Sequence, residues 1–150
     1  MKVTREADYA LRIMRRLAQK AREDEDISGS SPAYAAENSS GKLDSTSISR
    51  SIEVPQRFTS KILRKLTNGG LIVSHKGASG GYRLARPAEE ITVREIVELI
   101  DGPIEISRCL NDSFVCTAGE NRCAFREMFC EINRDIARRL EATKLSDSLK

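Results

Sequence analysis

The chain has no tryptophan and a single histidine, His75, and only 5% of its 150 residues are aromatic. With one histidine and no acidic constellation beside its thiols, it lacks the usual acid–base set of an enzyme. No glycine-rich phosphate loop precedes a helix, so nucleotide-dependent catalysis has no foothold either. The chain is not expected to be an enzyme. Runs of 18 apolar residues are also missing, and the start, Met1-Lys-Val-Thr-Arg-Glu-Ala-Asp8, has no apolar leader core. Neither a membrane span nor a signal peptide is expected, and the chain is expected in the cytoplasm. Thiols stay reduced there, so the four cysteines point to metal binding or redox sensing before structural disulfides.

Charge, by contrast, is plentiful. Charged residues make up 31% of the chain and the net charge is +3. From Thr4 to about Ala21 the apolar residues Ala7, Ala10, Leu11, Met14, Leu17, Ala18 and Ala21 form a helical stripe. The pattern then stops in an acid run, Glu23 to Asp26, followed by serine- and glycine-rich sequence. Residues 22–43 therefore read as a flexible insertion.

Asp44 or Ser45 is a plausible helix cap. A short helix follows, with Ile48 and Ile52 inside. Pro55 opens the next helix, Gln56 to about Thr67, whose expected core face is Phe58, Ile62, Leu63 and Leu66. Asn68-Gly69-Gly70 ends it. Leu71 to Ser74 and Tyr82 to Ala85 read as two strands around the glycine-rich turn 76–81. A helix-turn-helix with a hairpin behind it is a winged helix.

Between Pro55 and Arg86 stand Arg57, Lys61, Arg64, Lys65, Lys76, Arg83 and Arg86, and no acid. Positive charge on a recognition helix and its wing is the footprint of phosphate binding. Pro55, Gln56, Arg57, Ser60 and Lys61 are expected to approach the major groove. Arg57 and Lys61 have the chemistry to read guanine, and Gln56 that to read adenine. Lys76 and Ser79 on the wing, with Thr46 on the preceding helix, are expected to hold phosphates or the minor groove, and Thr4 at the first helix to add a backbone contact. Arg64 and Lys65 lie further along and should see only phosphates.

A further helix is expected at 92–101, with Ile96, Val97 and Ile100 inside. The cysteines follow. Cys109, Cys116 and Cys123 are each separated by six residues, in a stretch whose Asn111, Asp112, Gly119 and Asn121 favour turns. Three thiolates and one further ligand suit iron–sulfur or zinc equally. After Cys123, Phe125, Phe129, Ile132, Ile136 and Leu140 mark one face of a long helix that needs a partner, which points to a homodimer. Ser146 to Lys150 read as a frayed end.

The strings Asp8-Tyr-Ala-Leu-Arg12, Ser60-Lys-Ile-Leu-Arg-Lys-Leu66 and Gly77-Ala-Ser-Gly-Gly-Tyr-Arg-Leu-Ala-Arg-Pro87, with Glu90-Ile-Thr-Val-Arg-Glu-Ile96 and the three cysteines, carry a family likeness. The chain resembles the IscR/NsrR-type bacterial iron–sulfur regulators over nearly everything except the 22–43 insertion. The resemblance implies a homodimer on double-stranded operator DNA, tuned by a 2Fe–2S or 4Fe–4S cluster. It implies Cys109, Cys116 and Cys123 as ligands. A histidine three residues after the third cysteine serves IscR-type members, and Arg126 stands there instead. Asp8 matches the aspartate that completes the site from the other subunit in NsrR-type members. Cys130 is the other candidate, although a helix starting at Cys123 would carry it about 10 Å away.

The expected fold is mainly α with a small β-hairpin. Residues 1–103 form the winged-helix domain, 104–123 the cluster loop, and 124–150 the dimerisation helix and tail. A cluster-free thiol sensor is the rival reading.

Overall fold

The computed structural model describes residues 3–28, 41–111, 113, 115 and 123–150. Helix α1 (Arg5–Ser28) is the spine. Its Ala7, Ala10, Ile13, Met14, Leu17 and Ala18 are all buried, and the helices Gln56–Asn68 and Val93–Asp101, the strand Gly81–Leu84 and the C-terminal turn pack around it. The helix runs two turns past the expected Ala21. The acid run does not break it: Asp24 takes an ion pair from Lys20 at 2.7 Å and Glu23 one from Arg16 at 3.3 Å. Such pairs along a helix face support continuation.

The expected insertion is also shorter at its other end. Leu43 bridges Tyr82, exchanging hydrogen bonds of 3.0 and 2.8 Å with it, and so joins the wing. Residues 29–40 of that stretch lie outside the described residues.

Helix α2 (Ser45–Ser51) is capped by Asp44, whose carboxylate accepts from the N–H groups of Thr46 and Ser47. The Ser47 hydroxyl, and then its N–H, hold that carboxyl below its usual range. Helix α3 (Gln56–Asn68) follows Pro55 and buries Thr59, Ile62, Leu63 and Leu66. Phe58 is not in the core as expected; it is 40% exposed. The set 59, 62, 63, 66 is the tighter i, i+3, i+4, i+7 face, and a threonine at its head hides it from an apolar pattern. Gly70, at φ +72°, supplies the left-handed residue that stops α3.

The wing pairs β1 (Ile72–His75) with β2 (Gly81–Leu84) antiparallel, Ile72 opposite Leu84 and His75 opposite Gly81. Gly81 adopts φ +151°, and a Cβ there would lie 2.8 Å from the Leu43 carbonyl oxygen. Only glycine lets the bridging segment approach so closely.

Helix α4 (Val93–Asp101) opens with a reciprocal cap: Thr92 accepts from the Glu95 N–H, and Glu95 accepts from the Thr92 N–H. Burial would raise the Glu95 carboxyl, but the Thr92 N–H and Arg86 outweigh it and hold it down. A 3-10 turn, Arg108–Leu110, precedes helix α5 (Ala124–Ala142).

The C-terminus is not frayed. Residues Leu145–Leu149 form a second 3-10 turn with Leu145 buried. Leu145 donates to Ile91 O at 2.8 Å, Ser146 to Ala88 O at 3.2 Å, and Arg22 to Leu149 O at 3.2 Å. Backbone pairing, which side-chain composition does not report, holds this end. No described helix is long and apolar enough to cross a membrane.

Candidate nucleic-acid interface and cysteine loop

The turn between α2 and α3 sets the face of the head. Ser49 donates its hydroxyl to Val54 O at 2.6 Å, fixing the turn, and the buried Thr59 anchors the first turn of α3. What remains outside is Pro55, Gln56, Arg57, Ser60 and Lys61, all exposed, with Thr46 on α2 and Lys76 and Ser79 on the wing also exposed. The nine residues expected at DNA are completed by Thr4. It is exposed, but its N–H and hydroxyl donate to the Asp101 carboxylate at 3.0 and 2.5 Å, and its Oγ1 also accepts from the Ala7 N–H at 3.2 Å.

Folding changes the charge count of this face. The sequence from Pro55 to Arg86 has no acid, but α1 brings one. The Glu6 carboxylate sits 2.9 Å from Lys65 and 3.3 Å from Lys61. The hydrogen bond from Lys65 holds it below the usual carboxylate range, against a smaller opposing effect of burial. Arg86 is taken by Glu95, and Arg83 donates Nε to His75 Nε2 at 3.0 Å. Arg57, Arg64 and Lys76 make no ion pair among the described residues and remain as the open cations of the face. Gln56 donates its amide to Ser45 Oγ at 2.8 Å, and the Arg57 guanidinium lies 4.6 Å from the centre of the Phe58 ring. Sequence reasoning missed Phe58 and Glu6 here. Helical spacing from Thr59 would have moved Phe58 outward; nothing local marks Glu6.

The cysteine loop hangs between α4 and α5. Ile104 is buried and pins its start, and the Ile106 N–H donates to Asn133 Oδ1 of α5 at 3.2 Å. Asn111 donates to both oxygens of Glu105 at 3.2–3.3 Å. Cys109 sits in the 3-10 turn with its sulfur 3.1 Å from the Ser107 hydroxyl. Cys123 is the N-cap of α5, and its side chain makes no capping hydrogen bond. Cys109 and Cys123 are free and half-buried; Cys116 lies outside the described residues. Among the described residues no three His, Cys, Asp or Glu side chains gather around one point.

The structure bears on the other candidates too. Cys109 is in a 3-10 turn and not in α5, so the four cysteines do not share one helix. Because Cys123 is the N-cap of α5, Cys130 falls two turns further on, half-buried. Asp8, in the first turn of α1, is half-exposed and pairs with Arg12 at 3.0 Å. Residues 105–111 bring Cys109 against α5, and Cys109 and Cys123 bracket the loop from opposite ends.

Comparison with known proteins follows the same lines. Residues 32–150 match the model of the Rrf2 family, described as an iron-dependent transcriptional regulator. That match begins inside the 22–43 stretch. An rrf2-like HTH-type transcriptional regulator of Rhodobacter capsulatus is 30% identical, covering 98% of this chain and 91% of its own length. The solved structure of CymR, the global cysteine regulator of Bacillus subtilis, is 26% identical, covers 98% of this chain and 95% of its own, and superposes with a TM-score of 0.73. The T. potens IscR structure shares the fold at 21% identity and TM-score 0.70, covering 99% of this chain and 86% of its own. The winged helix, its basic face and these matches agree: the chain belongs to the Rrf2 family and is a DNA-binding transcriptional regulator, not an enzyme.

Proposed function

We propose that the chain acts as a homodimer whose affinity for operator DNA is set by an iron–sulfur cluster. Cys109, Cys116 and Cys123 hold the cluster, and Asp8 of the partner subunit completes it. The observation that carries this reading is the pair of free thiols, Cys109 and Cys123, bracketing a loop that leads directly into an unburied apolar helix face. The donor set fits the group. Thiolates suit iron–sulfur centres, and the helix N-terminus at Cys123 favours a negatively charged centre beside it. When bound, the cluster supplies a redox- and nitric-oxide-sensitive centre. The chain's own part is mechanical. The Ile106–Asn133 hydrogen bond ties the loop to α5, so a change in the loop is felt as a change in the angle of α5.

Helix α5 is the dimer element in this reading. Phe125, Met128 and Ile132 are exposed by 72%, 44% and 42%, and a second α5 is the economical cover. The spacing of two recognition helices, set through α5, is then the quantity the operator reads.

The test is anaerobic purification with a visible spectrum and iron and sulfide counts, followed by operator affinity of holo and apo protein at one salt concentration. Coloured protein with unequal affinities is expected. A colourless protein with one zinc per chain would overturn the cluster, and equal affinities would overturn the coupling. A second reading, a cluster-free thiol sensor working by disulfide exchange, draws on the likeness to B. subtilis CymR, the global cysteine regulator. It expects colourless, metal-free protein whose operator affinity changes on thiol oxidation.

A further inference from the structure

The first turn of α3 carries a phenylalanine that the core does not use. Thr59 beside it is fully buried, and Ile62, Leu63 and Leu66 complete the inner face. Phe58 points away from them, among exposed polar and basic neighbours. Scattered exposed apolar residues are ordinary, but this ring has a defined contact. The Arg57 guanidinium rests 4.6 Å from its centre, a distance at which the ring face attracts the cation and restricts its swing. Gln56, the other candidate reader on this turn, has its amide engaged by Ser45 Oγ at 2.8 Å. The front of the helix therefore presents an apolar plate with an arginine laid on it.

The major groove offers one apolar group, the C5-methyl of thymine, and guanine O6 and N7 form the preferred target of an arginine fork. We propose that Phe58 determines specificity: its ring contacts a thymine methyl in each half-site and, by stacking, orients Arg57 toward a neighbouring guanine. This rests on the chain being an operator-binding regulator, and the experiment separates failure of the two.

The full chain is used to enrich duplexes from a random-sequence library. Each thymine of the enriched site is then replaced by uracil, which deletes only the methyl. At one thymine per half-site, uracil should weaken binding of the unaltered chain about fourfold, the weight of one buried methyl-sized group. Phe58→Ala should bind the enriched site more weakly and no longer respond to that replacement. Phe58→Leu, which keeps an apolar side chain, should retain most of the response. In Phe58→Ala, preference for the adjacent guanine should also relax, while binding to random-sequence duplex and its salt dependence stay unchanged. The uracil series needs no variant to fold, because it is read first on the unaltered chain. The proposal is overturned if no uracil position matters, if Phe58→Ala responds like the unaltered chain, or if Phe58→Ala loses the same factor on random-sequence DNA. If the unaltered chain enriches no sequence, operator binding itself fails, and the proposal fails with it.

Discussion

Helices α3 and α5 look alike on paper. Each has an apolar stripe, and each sets arginines around it. In the fold they part company: α3 buries four side chains, and α5, described in full, buries none. The difference is one of position. Helix α3 is covered by α1, α2 and α4, whereas among the described residues α5 packs mainly on α4 and the 3-10 turn at Cys109. A stripe therefore shows that a helix needs cover, without showing whether its own chain provides it. The head covers its own apolar face, while α5 leaves Phe125, Met128 and Ile132 exposed for the second subunit of the proposed dimer.

The sharpest way to break that contrast is to hollow out each stripe in turn. Leu63→Ala should destabilise the protein by about 2–5 kcal/mol, the range for a leucine lost from a closed core. Ile132→Ala should leave the unfolding free energy within about 0.5 kcal/mol at dilutions where the chain is monomeric, and instead weaken self-association. Chemical denaturation and sedimentation velocity read the two effects separately. A large stability loss in Ile132→Ala without any change in association would mean that α5 is part of the core after all.

Next in size is the cost of removing a reader from the head. Arg57→Ala should lose about 1–3 kcal/mol of operator binding and relax discrimination at one base, with the melting curve unchanged. Arg64→Ala should weaken all sequences alike and reduce the salt slope by about one. If both variants behaved alike in fluorescence anisotropy against matched and random duplexes, α3 would carry charge without reading sequence.

These contrasts also show why the head was more legible than the limb. Its helices, turn and hairpin follow from local signals such as Asp44, Pro55, Gly70 and the glycine-rich wing, and each of these does the expected job. Phe58 was misplaced because a buried threonine leads the true inner face. Glu6 was invisible because it is 55 residues from Lys61, and only packing brings them together. The tail gives no sign of its order in the sequence because Leu145 and Ser146 are held by backbone hydrogen bonds to Ile91 and Ala88, which no side-chain pattern announces. In the loop, the turn-forming residues correctly separated Cys109 from α5. The candidates for a fourth ligand in the proposed site, Asp8 and Cys130, lie far from the loop or down α5, and spacing alone does not choose between them.

The seam between the two regions comes next. Thr92 caps α4 and also bridges Lys144, while the Val93 N–H donates to Thr143 O at 3.0 Å. Thr92→Ala should cost about 1 kcal/mol, as capping threonines do. Because the same residue joins the end of α5 to the head, hydrogen exchange should quicken in both α4 and residues 143–146. Quickening confined to α4 would show that the limb's end is held independently.

The smallest effect concerns the acid that folding adds to the basic face. Glu6 is held below the usual carboxylate range chiefly by Lys65, with Lys61 beside it. A carboxylate with a lowered folded value stabilises the fold fully above its unfolded pKa of about 4.3, and that contribution fades as pH falls through the lower folded value. The pairs are partly exposed, so the contribution is at most about 1 kcal/mol. Glu6→Gln should therefore lower stability slightly at neutral pH and flatten its decline below pH 4. On DNA the sign reverses. Glu6 neutralises two lysines of the recognition helix, and removing its charge frees them for phosphates. Glu6→Gln should bind random-sequence duplex more tightly at low salt with a steeper salt dependence, while its preference for the operator is unchanged. A loss of binding at low salt would instead mean that Glu6 positions Lys61 for the groove and does not merely mask it.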